Sequence, residues 1–156
     1  MPNIRIISIG KDKDPWISDG CEHYRKLLSR FARVEPLLLP SLKNSASLSP
    51  EETKAAEADR LVKAVGVGYL VALHERGQIF DSQAAAKRLQ KAEIESRGPI
   101  SFVIGGAFGL DPTILNRATW LWSLSPLTFS HQLTRLILLE QLYRAYSILH
   151  GTAYHK

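Results

Sequence analysis

Trp120-Leu-Trp-Ser-Leu-Ser-Pro-Leu-Thr-Phe-Ser130 runs straight into His131-Gln-Leu-Thr-Arg135 and an apolar stretch reaching Leu149, after which the chain closes on Tyr154-His-Lys156. Read physically, this is a strand end, a loop of small and hydroxyl residues, a helix start and a basic, His-containing tail, all within residues 120–156. A loop of that composition can hold a cofactor beside a polyanion.

Working outward, the rest of the chain alternates strand and helix. Asn3 to Ile9 is a β-branched run closed by Gly10, and the Lys11-Asp-Lys-Asp14 turn leads through Pro15 into a helix reaching about Phe31. Val34 to Leu39 is a second strand ending at Pro40, and the polar loop Ser41–Ser49, with its serines, Asn44 and lysines, is expected to be the mobile element. Ser49-Pro50-Glu51-Glu52 then offers a Ser N-cap, Pro at the first helical position and Glu at the third, which together satisfy the amides of a helix's first turn. Tyr69 to Leu73 is a strand without alternation, as where both faces are covered, and Asp81-Ser82 starts a helix to about Arg97. Ile100 to Ile104 is a fourth strand, followed by Gly105-Gly-Ala-Phe-Gly109 and by Asp111 capping a short helix from Pro112. A fifth strand covers about Leu121 to Leu124. This order predicts an α/β layer sandwich, a largely parallel sheet with helices on both faces, in one domain spanning 1–156.

The helix from about His131 to Leu149 has apolar residues all round, including Leu133, Leu136, Ile137, Leu139, Leu142 and Tyr146. It must be buried on more than one side. One side can pack on the sheet while the other needs a partner, which predicts a homodimer with this helix in the interface; the alternative is a central core helix in a monomer.

Composition narrows the function classes. Twenty Lys+Arg against 15 Asp+Glu give a net charge of +5, which leans toward nucleic acid without requiring it. Cys21 is the single cysteine, so an intramolecular disulfide or Cys-based zinc site is excluded, in keeping with a reducing cytoplasm. No apolar run reaches the roughly 18 residues that cross a bilayer, and the N-terminus reads as a strand instead of a signal segment. The expectation is a cytoplasmic protein without a membrane partner.

The chemistry-bearing residues are few. Gly105-Gly106-x-x-Gly109 lies between a strand and a helix, where glycines let a nucleotide or cofactor approach the backbone, although a plain tight turn reads the same way. A dinucleotide fold would carry such a turn after its first strand, which disfavours an NAD-dependent oxidoreductase. The histidines at 23, 74, 131, 150 and 155 show no helix-spaced pair with a nearby carboxylate, so no metal site is expected. His131, His150 and His155 share the last segment with Arg135, Arg144 and Lys156, a candidate positive surface. No nucleophile elbow surrounds Ser125 or Ser130.

Ile104-Gly-Gly-x-x-Gly-Leu110, Leu124-Ser-x-x-Thr-Phe129, His131-Gln-Leu-x-Arg135, Glu140-Gln-x-Tyr-Arg-Ala145 and the ending Ala153-Tyr-His155, with Gly10-Lys11 after the first strand, closely resemble the RlmH (YbeA) family of SPOUT methyltransferases over essentially the whole chain. The resemblance implies a C-terminal deep trefoil knot, which rules of chain connectivity would argue against; the knot and cofactor site would occupy about 70–156. It also implies a homodimer, S-adenosylmethionine as methyl donor, and methylation of N3 of a pseudouridine in helix 69 of 23S rRNA on the assembled ribosome.

Position by position, the implied cofactor residues are Leu73, Gly105, Gly106, Ser125, Pro126, Leu127, Thr128, Phe129 and Ser130, whose backbone groups would do most of the hydrogen bonding. His131, Arg135, Arg144, Tyr154 and His155 are the catalytic candidates: the histidines as base or orienting group, Tyr154 for stacking or hydrogen bonding, the arginines for phosphate or deprotonated base. Three positions depart from the family's pattern. His74 stands where an acidic residue is usual, Phe108 where a polar one is, and Ser130 where Pro precedes the His, a change expected to loosen the loop. These departures leave open a ribosome-associated RNA-binding protein that kept the fold without methylating.

Overall fold

The computed structural model describes residues 1–156 except Asp12 and Asn44, and leaves the Ser45 side chain undescribed. The expected Lys11–Asp14 turn and Ser41–Ser49 mobile loop fall partly on those two positions, outside the described residues. In chain order the elements are β1 (Asn3–Ile9), α1 (Pro15–Leu28), β2 (Arg33–Leu39), a 3-10 turn (Ser45–Ser47), α2 (Pro50–Val65), β3 (Tyr69–Ile79), α3 (Ser82–Glu95), β4 (Ile100–Ile104), α4 (Pro112–Arg117), β5 (Trp120–Ser123) and α5 (His131–Leu149).

The helix starts read from sequence are realised in atomic detail. Ser49 accepts from the Glu52 amide at 3.1 Å, Asp81 from the Ala84 amide at 2.7 Å and Asp111 from the Thr113 amide at 3.0 Å, each satisfying a donor that the first helical turn cannot. Helix α1 stops at Leu28, short of the expected Phe31, and β5 begins one residue earlier than expected.

All strands run parallel in one five-stranded sheet of order β2-β1-β4-β3-β5. Pro36, which cannot donate to a ladder, sits in the edge strand β2. Successive strand residues serve opposite faces, so Ile4, Ile6, Val71, Phe102 and Ile104 build a core under α1, α3 and α5, while Ile7, Ile9, Leu70, Ala72 and Val103 build another under α2 and α4.

Helix α5 lies between α1 and α3 on the first face. A side chain at Gly20 of α1 would come within 2.9 Å of Leu136, which is how closely the two helices approach. Much of the all-round apolarity of α5 is therefore absorbed within the chain: Leu138, Leu139, Leu142 and Tyr146 are buried, while the outer stripe Leu133, Ile137, Glu140, Gln141 and Arg144 is half-buried. That stripe is the face of α5 that a partner subunit would cover.

The largest departure from expectation is β3, which continues past Leu73 to Ile79. Its pairing with β5 shifts register between Leu73 and Gln78, so His74, Glu75 and Arg76 bulge out at the strand's carboxyl end. Polar residues ended the apolar pattern there, which is why the extension was not legible. Gly77 makes it fit, because a Cβ at that position would lie 2.7 Å from the backbone of Leu121 and Trp122. Backbone cannot yield as a flexible side chain can, so Gly77→Ala is expected to cost about 1–3 kcal/mol of stability. Urea unfolding measures it, and a wild-type midpoint would mean that β3 and β5 do not approach this closely.

Candidate functional site

Parallel strands deliver their carboxyl ends, and the loops that follow them, to one edge of the sheet. A cavity of about 690 Å³ opens at that edge. Its walls are the end of β3 with the bulge (Leu73 to Arg76), the glycine turn after β4 (Gly105 to Leu110), the hydroxyl loop after β5 (Ser123 to Ser130, apart from Pro126) and the first turn of α5 at His131 and Thr134; Lys54 of α2 closes one side.

Each wall is held by local chemistry. The glycine turn closes through the Gly109 amide donating to the Gly106 carbonyl at 3.1 Å. A Cβ on Gly105 would strike the Gly109 backbone at 2.6 Å, so that position has no room for a side chain. In the loop, the Ser123 hydroxyl donates to the Ser125 carbonyl at 2.9 Å and the Leu127 amide donates to Ser125 Oγ at 3.0 Å, an arrangement that leaves Leu127 and Thr128 at the surface. Ser130 is the N-cap of α5: its hydroxyl accepts from the Leu133 amide at 3.3 Å, and its φ of −59° is the angle that a proline would impose. The serine therefore reproduces the backbone geometry of proline and adds a cap.

The catalytic candidates are not brought together. His131 lines the cavity, and its Nε2 lies 3.6 Å from where a Cβ of Gly10 would be, at the end of β1. Arg135, one turn on, is 5% exposed and lines a different, smaller cavity between α1 and β2, beside Cys21, Glu22 and Leu38. Burial there pushes its guanidinium below its ordinary pKa and the Cys21 thiol up to about 11, so that thiol is a packing group and not a nucleophile.

Arg144, Tyr154 and His155 form a third group at the far end of α5, roughly 20 Å from His131 at 1.5 Å per helical residue. There Arg144 pairs with Glu140 at 2.6 Å, Tyr154 donates to the same carboxylate at 2.9 Å, and the Arg144 guanidinium lies 4.8 Å from the centre of the Tyr154 ring. The Glu140 hydrogen bond raises the Arg144 pKa, while burial, then the neighbouring Tyr24 and Glu140, holds the Tyr154 phenol well above its usual range. Arg144 Nη1 lies 3.3 Å from His155 Nδ1. Arginine only donates, so that nitrogen accepts and the neutral ring carries its proton on Nε2.

Sequence reasoning missed Lys54, Glu75, Arg76 and Glu57. Glu57 of α2 is 6% exposed, and its carboxylate sits so close to Gly106 that a Cβ there would approach Oε2 to 2.8 Å. Burial raises its pKa, partly offset by Arg60. An acidic residue on a polar helix carries no sequence signal of that burial.

A family profile described as a predicted SPOUT methyltransferase matches residues 2–155. Curated relatives named ribosomal RNA large subunit methyltransferase H are similar over their whole length: that of Acetivibrio thermocellus is 41% identical, covering 98% of this chain and 99% of its own, and that of Desulforamulus reducens is 36% identical, covering 100% of both. Among solved structures, a probable methylase family protein of Haemophilus influenzae superposes with a TM-score of 0.58 at 16% identity, over 99% of this chain and 71% of its own. A putative methylase family protein of Neisseria gonorrhoeae does so at 0.52 and 19%, over 91% and 82%. At those identities the two structures speak for the fold.

The buried carboxylate yields a pH-dependent test. Because the folded-state pKa of Glu57 lies above its ordinary 4.5, ionising it costs stability, a cost absent below the unfolded pKa and complete above the folded one. Glu57→Gln removes that cost, so its stability relative to wild type should rise as pH climbs from below 4.5 to neutrality. Urea midpoints across that range measure it; a difference independent of pH would mean that Glu57 is not buried as described.

Proposed function

Because the chain belongs to the SPOUT methyltransferase family, among the ribosomal RNA large subunit methyltransferases H, we propose that it methylates N3 of a pseudouridine in helix 69 of 23S rRNA, on the assembled ribosome, as a homodimer using S-adenosylmethionine. The observation that carries this reading is the one cavity in which Leu73, Gly105, Gly106 and the Ser125–Ser130 loop, apart from Pro126, meet, segments that the family resemblance assigns to one cofactor.

The cavity fits that cofactor. Its volume of about 690 Å³ suits a nucleoside-sized ligand. Leu73, Ile104, Leu110 and Leu124 offer apolar surface for a purine, and the backbone of the glycine turn and of the loop lines the same cavity, where it can supply hydrogen-bond partners. S-adenosylmethionine, when bound, supplies an electrophilic methyl group. The protein's task is then to hold the acceptor nitrogen in line and help remove its proton.

His131, on the cavity wall, is the group placed to take that proton. With Nδ1 engaged by Arg144, His155 presents an Nε2 donor, suited to holding a base carbonyl as charge develops on it. Arg144, itself held by Glu140 and the Tyr154 ring, holds the His155 ring in place, and the buried Arg135 packs α5 against α1 and β2 outside the cavity.

The roughly 20 Å between His131 and Arg144 along α5 is what makes a dimer useful. Two α5 helices packed antiparallel along the half-buried stripe Leu133, Ile137 and Gln141 would bring each tail to the partner's cavity under two-fold symmetry. In this reading residues 1–156 form one SPOUT domain, and the strand order is compatible with a trefoil knot in the C-terminal half. No helix among the described residues is long and apolar enough to cross a membrane, and no metal-ligand cluster is found among them; the reading places the protein with ribosomes in the cytoplasm.

Mixed dimers test the arrangement. His131→Ala and His155→Ala homodimers should each fail to transfer radiolabelled methyl from S-adenosylmethionine to unmethylated ribosomes. Mixing and reassembling them should recover roughly a quarter of wild-type activity, since half the dimers then hold one intact composite site out of two. No recovery, with both variants folded and dimeric, would put tail and cavity in the same subunit; no methyl transfer by wild type would end the functional reading.

A further inference from the structure

The Phe108 ring stands on the cavity rim. Phe108 is 51% exposed at the tip of the glycine turn. Single exposed apolar residues are ordinary on protein surfaces, but three observations set this one apart. Its backbone is fixed, because the Gly106–Gly109 hydrogen bond and the close approach of Gly105 to Gly109 leave the turn little freedom. The ring is thus presented outward from a rigid base, and it stacks on no other ring among the described residues. It also shares its cavity with Lys54, His74 and the exposed Glu75 and Arg76, with the exposed Leu127 on the facing loop.

An exposed aromatic face that shares its cavity with the cations Lys54 and Arg76 matches one kind of ligand chemistry. An unpaired nucleobase offers a π-face for the ring, and its phosphates offer charge for Lys54 and Arg76. We propose that Phe108 is a stacking platform for an unpaired base of the RNA substrate, at the mouth of the cavity, with Lys54 and Arg76 holding the adjoining backbone. This rests on the function proposed above and adds a residue that binds RNA without touching the methyl donor.

The test separates stacking from bulk. Phe108→Ala should raise KM for unmethylated ribosomes about 5- to 150-fold, the range that loss of one base–aromatic stack produces. S-adenosylhomocysteine affinity, measured by calorimetry, should stay at the wild-type value. Phe108→Trp should restore KM, whereas Phe108→Leu, which is apolar but lacks a π-face, should not. An unchanged KM in Phe108→Ala, or full restoration by Phe108→Leu, would overturn the platform. A fall in S-adenosylhomocysteine affinity would also overturn it, by placing the ring over the cofactor. Failure of the wild type to methylate ribosomes would overturn the functional reading and this proposal together, and it is told apart because it appears before any variant is compared.

Discussion

The pairing of β5 with β3, and not with β4 from which the chain has just come, is the constraint on which the site depends. To reach that position the chain leaves β4, turns through the glycines, passes along α4 and enters beyond β3 at the sheet's edge. The loop after β5 must then return toward the core that α5 covers. It therefore lies beside the end of β3 and opposite the glycine turn, and the cavity is the space these three segments leave. The pairing is secured by bare backbone contact, with Gly77 against Leu121 and Trp122, and by Phe80, just past β3, edge-on to Trp120 with centroids 5.6 Å apart.

Much of this was legible because it follows from local rules. Ser49, Asp81 and Asp111 announce their helices by capping chemistry, and β4 is a buried apolar run bounded by Pro99 and Gly105, so its limits come out to the residue. Strand order is set by non-local pairing, on which composition is silent. The extension of β3 through His74, Glu75 and Arg76 was hidden for a related reason. Those residues look like a loop, and only the partner strand makes them part of a sheet.

The site divides in the same way. Gly105, Gly106 and the Ser125–Ser130 loop could be grouped by family resemblance, and they do face one cavity apart from Pro126. The charged residues could not be sorted. Arg135 and Arg144 sit on one helix nine positions apart, yet one is buried against α1 and β2 while the other joins Glu140, Tyr154 and His155 at the opposite end. Nine residues are two and a half turns, so the two arginines point to opposite sides of α5. Burying Glu57 costs desolvation that an apolar residue would avoid, and its carboxylate lies against the glycine turn that shapes the cavity.

The central claim is that the cavity is a methyl-donor pocket. Calorimetric titration of the purified protein with S-adenosylmethionine, S-adenosylhomocysteine and NAD tests it most directly. Saturable binding of the first two with one site per chain, and none of NAD, is the predicted result. Absence of binding by both sulfur compounds, in protein whose circular dichroism matches a folded α/β chain, would contradict it.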